Sequence, residues 1–252
     1  MSTDYRIVIP ARMASERLPG KPLRDIAGKP LIERVWDRAT QSGAAEIVIA
    51  TDDESIREAV EEFGGQCVMT RREHASGSDR IAECIDILGW PDDTLVVNLQ
   101  GDEPQMPPQC LDQVAALLRA DAVTDAASIY QLMDDPVEIR NPNAVKVTVD
   151  ARGRALYFSR SVIPFNRGWP SLEAAVDGGQ RWKRHIGLYA YRAGALRRMA
   201  ASPPTPLELS ERLEQLRMLE AGGVIMMAEA AMPVPAGVDT PEDLERVRRT
   251  FA

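Results

Sequence analysis

Between residues 7 and 99, the sequence alternates short, β-branched apolar runs with amphipathic stretches. The apolar runs have the composition of buried strands and lie at residues 7–9, 46–51, 67–69 and 94–99; helical periodicity covers residues 31–41, 55–63 and 81–88. This alternation predicts the α/β class, with a mainly parallel twisted sheet flanked by helices. Ligands of such sheets bind beyond the carboxyl ends of the strands, so the polar residues that follow each run form the candidate site.

A cationic loop, interrupted by glycine and proline, follows the first predicted strand. We expect Pro10 to end that strand, and the loop then carries Arg12, Arg17 and Lys21. A loop of this kind between a strand and a helix can hold phosphates. It matches neither a Walker A loop nor a dinucleotide-binding fingerprint, so side-chain charge would do most of the binding. A solvated basic loop is the alternative.

Arg80 and Asp102 lie in two further motifs near strand ends. Arg80 ends the motif SGSDR and would sit in the first turn of a helix, where a cation opposes the helix dipole. A bound nucleotide would explain this position. Asp102 belongs to NLQGDEP, directly after the strand at residues 94–99, and Gly101 allows the backbone to approach a ligand closely. An ordinary turn aspartate is the alternative there.

Asp239 precedes the last predicted helix, in the motif GVDTPEDL. Thr240 as N-cap, Pro241 at the first helical position and the acidic first turn already account for the helix start. Because the helix does not require Asp239, a ligand is the remaining reason for its charge. The segment Thr51-Asp52-Asp53, by contrast, is typical of a simple helix cap.

The second half of the chain changes rhythm. Residues 145–149 and 155–159 flank a turn sequence and predict a β-hairpin, which would add an antiparallel extension to the sheet. The alternating run at residues 185–191 predicts another strand. The polar, glycine-rich residues 166–180 are the best candidate for a mobile or partner-bound segment. Residues 210–223 predict one helix with an apolar face.

Composition excludes several functional classes. The chain has 252 residues, a net charge of −8 and a pI near 5.0, which argues against nucleic acid or an anionic membrane as partner. No apolar run approaches the ~20 residues of a membrane span, and no signal core precedes the first strand, so we expect a cytoplasmic protein. The three cysteines form no C-x-x-C pair, which disfavours a zinc or redox motif. We predict one domain over residues 1–252.

Taken together, the motifs resemble the sugar-acid cytidylyltransferases, from Ile7 nearly to the C-terminus. The matching segments are PARMASERLPGKPL, SGSDR, NLQGDEP, YFSR, HIGLYAY, LEQLR and GVDTPEDLERV. The resemblance implies a fold similar to the nucleotide-diphospho-sugar transferases. It also implies that CTP and 3-deoxy-D-manno-octulosonate (Kdo) give CMP-Kdo and pyrophosphate, for lipopolysaccharide biosynthesis. A homodimer, built partly from residues 157–191, is implied as well.

The resemblance also assigns site residues. Arg12, Lys21, Asp102 and Asp239 would be catalytic, with Asp102 and Asp239 holding Mg²⁺. The residues implied to bind the nucleotide are Pro10, Ala11, Arg12, Arg17, Lys21, Ser76, Arg80 and Gln100. Those implied to bind the sugar acid are Gln100, Arg160, Arg167, His185, Tyr189, Glu214 and Gln215.

Three alternative functions remain open at this point. A cytidylyltransferase for another sugar acid, such as an 8-amino analogue of Kdo, would share nearly every motif. A glycosyltransferase of related fold usually carries a D-x-D metal motif, whereas Asp102 is followed by Glu103 and Pro104. A non-catalytic nucleotide-binding regulator could lose one metal carboxylate, and this chain has both.

Overall fold

The computed structural model describes residues 4–15, 17–74 and 76–251. The strands within these ranges are β1 (Tyr5–Ala11), β2 (Asp25–Ile26), β3 (Lys29–Pro30), β4 (Glu46–Thr51), β5 (Gln66–Met69), β6 (Leu95–Asn98), β7 (Ala126–Met133), β8 (Lys146–Val149), β9 (Ala155–Ser159), β10 (Trp182–Arg192) and β11 (Ile225–Glu229). The α-helices are α1 (Leu31–Ala39), α2 (Glu54–Glu62), α3 (Gly77–Ile87), α4 (Pro108–Arg119), α5 (Pro136–Arg140), α6 (Leu172–Asp177), α7 (Ala193–Ala201), α8 (Pro206–Glu211), α9 (Gln215–Glu220) and α10 (Pro241–Phe251).

One nine-stranded sheet organises the chain, in the order β11-β7-β10-β6-β1-β4-β5, with β8 paired to β10 and β9 paired to β8. The pairs of β1 with β4 and β6, of β4 with β5 and of β7 with β11 are parallel. Strand β10 runs antiparallel to β6, β7 and β8. The predicted α/β class with a mainly parallel sheet is therefore confirmed.

Strand β1 is central, and its side chains alternate between two apolar layers. Ile7 and Ile9 belong to a core cluster that also contains buried residues of α1, α2, α4 and α10. Val8 points to the opposite face and belongs to a cluster with α3, α7 and α9. The sheet is thus covered on both sides, which explains why its central strands read as continuous apolar runs.

Pro10 does not end β1, contrary to the sequence-based expectation. It lies inside the strand, in register with Ala50 of β4. On the β6 side, the pairing ends at Val8, whose carbonyl accepts the backbone N–H of Leu99. The backbone N–H and C=O groups of residues two apart in a strand point to the same neighbouring strand, so an N–H at position 10 would point towards β6, as the carbonyl of Val8 does. The pairing with β6 has already ended at this point. A proline is tolerated there because no ladder bond is lost.

The antiparallel extension is confirmed as the hairpin β8–β9. The Asp150 carboxylate accepts the backbone N–H groups of Arg152 and Arg154 and stabilises its turn. The hairpin joins the sheet through Lys146, which pairs with Arg184 of β10.

The helix predicted over residues 210–223 is wrong in one respect, because the segment is broken. Helix α8 ends at Glu211, Arg212 adopts a left-handed conformation with φ of 53°, and α9 begins at Gln215. A left-handed residue that is not glycine gives no signal in an amphipathic pattern. The apolar face was nevertheless identified correctly, since Leu213, Leu216 and Met218 are buried.

Residues 166–180 contain a helix that the sequence analysis did not predict. They contain α6, whose N-terminus is capped by the Ser171 hydroxyl. Ala175 of α6 is buried in a small apolar cluster with Ile139 of α5 and Trp182 of β10. No helix in the described ranges is both long and apolar enough to cross a membrane.

Candidate active site

A cavity of about 790 Å³ lies beyond the carboxyl ends of β1 and β6, next to the first turn of α3. All eight residues predicted to bind the nucleotide line it, as do both predicted metal ligands. These residues are Pro10, Ala11, Arg12, Arg17, Lys21, Ser76, Arg80, Gln100, Asp102 and Asp239. The cavity occupies the strand edge that the parallel sheet predicts for a ligand.

The cationic loop after β1 is held by its apolar residues. Leu18 is 5% exposed, and Pro22 is buried in the 3-10 turn Lys21–Leu23. Gly20 precedes this turn with φ of 67°, a conformation that costs glycine little. Arg12 and Arg17 are exposed, yet both line the cavity. The loop is therefore not simply a solvated surface, because its fixed apolar residues direct the cations to one space.

Lys21 joins the two predicted metal carboxylates. Its Nζ lies 2.7 Å from Asp102 Oδ2 and 3.1 Å from Asp239 Oδ1. Arg17 Nη2 lies 3.1 Å from the other oxygen of Asp239. Burial acts to lower the pKa of Lys21, but the charges and hydrogen bonds of Asp102 and then Asp239 outweigh it and raise the pKa above its usual value.

Two local features bring these carboxylates together. Gly101 passes so close to β1 that a Cβ atom there would lie 2.7 Å from the carbonyl oxygen of Pro10. The backbone N–H of Val238 donates to the Asp102 carbonyl at 2.8 Å, which ties the C-terminal segment to the loop after β6. Only a residue without a side chain fits the close approach, so Gly101 fixes where Asp102 stands.

Asp239 is not used by the helix that follows it. The Thr240 hydroxyl accepts the N–H of Asp243 at 3.2 Å, and the Asp243 carboxylate accepts the N–H of Thr240 at 3.1 Å. This reciprocal arrangement is a capping box. The Asp239 carboxylate therefore turns to Lys21 and Arg17, as expected for a group kept for a ligand.

The donor set fits a hard divalent cation. Asp102 and Asp239 present oxygens within about 3 Å of one ammonium group, so their carboxylates already converge on a single cation. Among the residues that the structure describes, no cluster of three or more His, Cys, Asp and Glu side chains forms a closed metal site. Two carboxylates with the remaining positions left to water and phosphate suit Mg²⁺, which rarely uses an all-protein shell.

Glu103 adds a carboxyl group that the sequence did not single out. Burial raises its pKa to about 8, with further contributions from the charges of Asp102 and Asp239. Its neighbour Pro104 accepts a hydrogen bond from Arg38 through its carbonyl, so this loop is braced from α1.

Arg80 lines the cavity but is only 3% exposed. Its Nη2 lies 3.2 Å from Asp52 Oδ1, and its Nη1 donates to Thr70 Oγ1 at 2.5 Å. Arg80, in the first turn of α3, therefore already has partners within the protein, whether or not a nucleotide binds there.

Asp53, the residue after Asp52, caps α2. Its side chain accepts the N–H of Ser55 at 2.9 Å, which confirms the predicted cap.

Four of the residues predicted to bind the sugar acid form a second polar cluster beside the cavity. The His185 and Tyr189 rings pack in a tilted arrangement with their centroids 5.3 Å apart, and Ser78 Oγ donates to Glu214 Oε2 at 2.8 Å. Three atoms in this cluster are buried and find no hydrogen-bond partner among the described residues: His185 Nε2, the Tyr189 hydroxyl and Gln215 Nε2. Buried polar atoms are normally paired, so three together indicate a site for a polar ligand.

The cluster adjoins the cavity through β6. Tyr189 pairs in register with Asn98, whose Oδ1 accepts the Gln100 side-chain amide at 3.3 Å. Ser78 follows Gly77, which lines the cavity. The cavity and the polar cluster are thus neighbouring parts of one region.

Arg160 and Arg167 do not line the cavity. The Arg160 guanidinium donates to the carbonyls of Glu211 at 2.7 Å, Pro142 at 3.0 Å and Arg212 at 3.4 Å. These carbonyls occupy the guanidinium donors of a residue that was expected to bind the sugar acid. Arg167 is exposed, on the segment before α6.

His74 was missed by the sequence analysis. It lines the cavity and is bonded to Glu83 through Nε2. A polar histidine two residues before the SGSDR motif was the available signal. Its pairing with Glu83, nine residues further on, could not be read from the sequence.

A mainly parallel sheet whose carboxyl edge carries a cationic loop and two converging carboxylates is the arrangement of a nucleotidyltransferase. The family model described as cytidylyltransferase matches residues 6–229. The chain belongs to the cytidylyltransferase family, and it is an enzyme.

Individual relatives give a more specific comparison than the family model. The chain is 49% identical over 247 residues to 3-deoxy-manno-octulosonate cytidylyltransferase of Idiomarina loihiensis, covering 98% of both chains. It is 50% identical over 254 residues to the protein of the same name from Actinobacillus succinogenes, covering 98% of this chain and 97% of the relative. A solved structure of CMP:2-keto-3-deoxy-manno-octonic acid synthetase complexed with CTP superposes with a TM-score of 0.89, at 42% identity and 98% coverage of each chain. The resemblance found in the sequence motifs is confirmed.

Proposed function

We propose that this enzyme transfers a cytidylyl group from CTP to the anomeric hydroxyl of Kdo and releases pyrophosphate. The observation that carries the proposal is the convergence of Asp102 and Asp239 on Lys21, in a cavity that adjoins a polar cluster with unpaired atoms. The names of the relatives and the CTP in the similar solved structure support the choice of both substrates.

The triphosphate half of the reaction falls to the cationic loop. Arg12, Arg17 and Lys21 would neutralise the phosphates of CTP, while the backbone at Pro10 and Ala11, with Ser76 and Gln100, would contact the rest of the nucleotide. No residue has to act as a covalent nucleophile. The chain instead positions the α-phosphorus for in-line attack and stabilises the charge that develops there.

Asp102 and Asp239 would hold Mg²⁺. When bound, this ion supplies charge neutralisation at the phosphates undergoing transfer. Glu103, the residue after Asp102, adds negative potential near the two carboxylates whenever it is ionised. Its raised pKa means that it takes up a proton more readily than an ordinary carboxyl group, which limits that added charge.

The sugar acid would occupy the polar cluster. Burial lowers the pKa of His185 to about 3, so its ring is neutral at neutral pH and offers one donor and one acceptor. Together with the Tyr189 hydroxyl and the Gln215 amide, it suits a polyhydroxylated ligand. Glu214 would accept from a sugar hydroxyl beside Ser78. Arg167 would pair with the sugar carboxylate. The Arg160 guanidinium would not, because it already donates to backbone carbonyls.

Three further properties belong to the same proposal. The enzyme would act in the cytoplasm, its product would serve lipopolysaccharide biosynthesis, and it would work as a homodimer. Large exposed apolar side chains within residues 156–169 support the dimer. They are Leu156 at 62%, Phe165 at 84% and Trp169 at 38% exposure.

Pyrophosphate release tests the reaction. Each of the four nucleoside triphosphates is paired with Kdo, its 8-amino analogue and other sugar acids, in the presence of Mg²⁺. We expect turnover with CTP and Kdo. Efficient turnover with ATP or GTP and none with CTP would contradict the proposal. Preference for the 8-amino sugar would support the alternative acceptor, and CTP binding without turnover would support a regulator.

A further inference from the structure

Lys21 occupies the position between the two carboxylates that the proposed function assigns to a metal ion. Its ammonium group lies 2.7 Å from Asp102 and 3.1 Å from Asp239, and only 16% of its side chain is exposed. With Arg17 on the second oxygen of Asp239, the group contains two carboxylates and two cations and is formally neutral. A divalent cation approaching this group meets no net negative charge and finds the shared space filled.

A nucleotide would change this balance. The triphosphate carries several negative charges into the same cavity, which Arg12, Arg17 and Lys21 all line. A lysine ammonium is a compact charge on a flexible four-carbon stem, so it can move to a phosphate while its backbone stays fixed. The backbone here is fixed by buried Pro22 and Leu18 on either side. Rotation of the side chain alone would uncover the oxygens that Lys21 now contacts, Asp102 Oδ2 and Asp239 Oδ1.

We infer that Lys21 is an internal counter-ion that closes the metal site until a nucleotide draws its ammonium group onto the phosphates. The inference rests on the proposed function, because it assumes that Asp102 and Asp239 are the metal ligands. It adds that Lys21 couples the two ligands: metal binds weakly to the enzyme alone and tightly with the nucleotide. The coupling is reciprocal, so the metal also strengthens nucleotide binding.

Binding of Mn²⁺ to the enzyme tests the counter-ion role of Lys21. Electron paramagnetic resonance measures the concentration of unbound Mn²⁺ directly. The variants are Lys21→Met, which keeps the length of the side chain and removes its charge, and Lys21→Gln, which keeps a polar end between the carboxylates. Arg12→Met is the matched control, since it removes one charge from the same cavity. Circular dichroism checks that each variant is folded.

Without nucleotide, we expect Lys21→Met and Lys21→Gln to bind Mn²⁺ at least tenfold more tightly than the parent enzyme. Arg12→Met should stay within about threefold of the parent, because Arg12 is exposed and is not among the ion-pair partners of Asp102 or Asp239, so its charge is screened by water. Equal affinity of the Lys21 variants and the parent would overturn the inference. An equal gain in Mn²⁺ affinity for Arg12→Met would also overturn it, because the gain would then come from removing any positive charge from the cavity.

A final measurement distinguishes failure of the Lys21 counter-ion role from failure of the proposed metal site. With CTP present and no sugar acid, and after subtracting the Mn²⁺ that the same CTP binds without enzyme, the parent should bind Mn²⁺ tightly, and Asp102→Asn should weaken that binding. If this holds while the Lys21 variants show no gain without CTP, only the counter-ion role falls. If Asp102→Asn binds Mn²⁺ with CTP as the parent does, the metal site itself is wrong, and the counter-ion role falls with it.

Discussion

Asp102 and Asp239 are separated by more than half of the chain, yet one lysine contacts both. Replacing either by asparagine keeps its shape and removes its charge. We expect each variant to fold and to bind CTP through Arg12, Arg17 and Lys21. Turnover should fall by a factor on the order of 10² or more, because metal neutralisation acts mainly in the transition state. Calorimetry with CTP and a magnesium titration of the remaining rate measure both quantities.

Asp53→Asn is the matched control for these two variants. It makes the same chemical change at a residue that caps α2, and asparagine is an equally good N-cap. Its turnover should equal that of the parent. An Asp239→Asn enzyme with parental turnover and parental magnesium dependence would remove Asp239 from the metal site and leave Asp102 as the protein ligand.

His185 makes a prediction about pH. Its pKa is lowered by burial from 6.5 to about 3, so below pH 6.5 the unfolded chain takes up a proton that the folded chain refuses. Stability is therefore lost as the pH falls from 6.5 towards 3. Between pH 7 and pH 5, this residue alone should cost about 2 kcal/mol of unfolding free energy.

Denaturant unfolding of the parent and His185→Gln across this pH range isolates that contribution. The variant lacks the titrating group, so its unfolding free energy should fall less steeply with acid. The comparison uses slopes, since glutamine also changes packing against Phe158 and Tyr189. Parallel curves for the two proteins would show that His185 is protonated as easily in the folded state as in the unfolded state.

At the scale of elements, the break between α8 and α9 carries a prediction about Arg160. The Glu211 carboxylate accepts the Ser159 hydroxyl at 2.6 Å and the Arg160 N–H at 2.9 Å, while the Arg160 side chain binds carbonyls of Glu211 and Arg212. These bonds fasten the end of β9 to the left-handed residue just before Glu214. Arg160 therefore holds the segment that presents Glu214 and Gln215.

Arg160→Ala should raise the Michaelis constant for the sugar acid and leave that for CTP within about twofold. It should also lower the unfolding free energy by about 1–3 kcal/mol, since several hydrogen bonds are lost. Arg167→Ala is the control for stability alone: Arg167 is exposed, so its loss should leave the unfolding free energy unchanged, whereas its proposed role at the sugar carboxylate should raise the Michaelis constant for the sugar acid. A raised constant with unchanged stability in Arg160→Ala would favour direct contact with the sugar carboxylate instead.

The elements also show what the sequence can and cannot predict. The N-cap at Thr240 and the hairpin depend on neighbouring residues, and both were predicted. At the break, the Arg212 carbonyl accepts a hydrogen bond from Arg160, 52 residues away in sequence. For the same reason, the carbonyl partners of Arg160 were not foreseen. Local chemistry was visible in the sequence, whereas partners brought together by folding were not.

At the scale of the whole molecule, the sheet order explains how distant motifs form one site. Strand β1 lies between β4 and β6, and β10 pairs with β6, so the loops after β1 and β6 and the middle of β10 are neighbours. The C-terminal segment reaches this edge through the bond from Val238 to Asp102. The nucleotide cavity and the polar cluster therefore flank β6, one beyond its end and one beside it.

The remaining property of the whole molecule is its assembly. Leu156, Phe165 and Trp169 leave large apolar surfaces exposed within fourteen residues of sequence (156–169), beside the hairpin. Three exposed apolar side chains so close in sequence make this segment the candidate contact surface of the proposed dimer. We expect light scattering to give twice the chain mass of 27.8 kDa at working concentration. A mass of 27.8 kDa would contradict the homodimer.

A substitution tests whether residues 156–169 form the contact of the proposed dimer. Phe165→Glu places a charge on the most exposed of these side chains, and burying an unpaired charge in an interface is strongly unfavourable. We expect this variant to dissociate at concentrations where the parent remains dimeric. Val123→Glu is the control, since Val123 is 73% exposed and lies between α4 and β7, outside residues 156–169. If Val123→Glu dissociates the dimer and Phe165→Glu does not, the two copies meet near Val123 and not through residues 156–169.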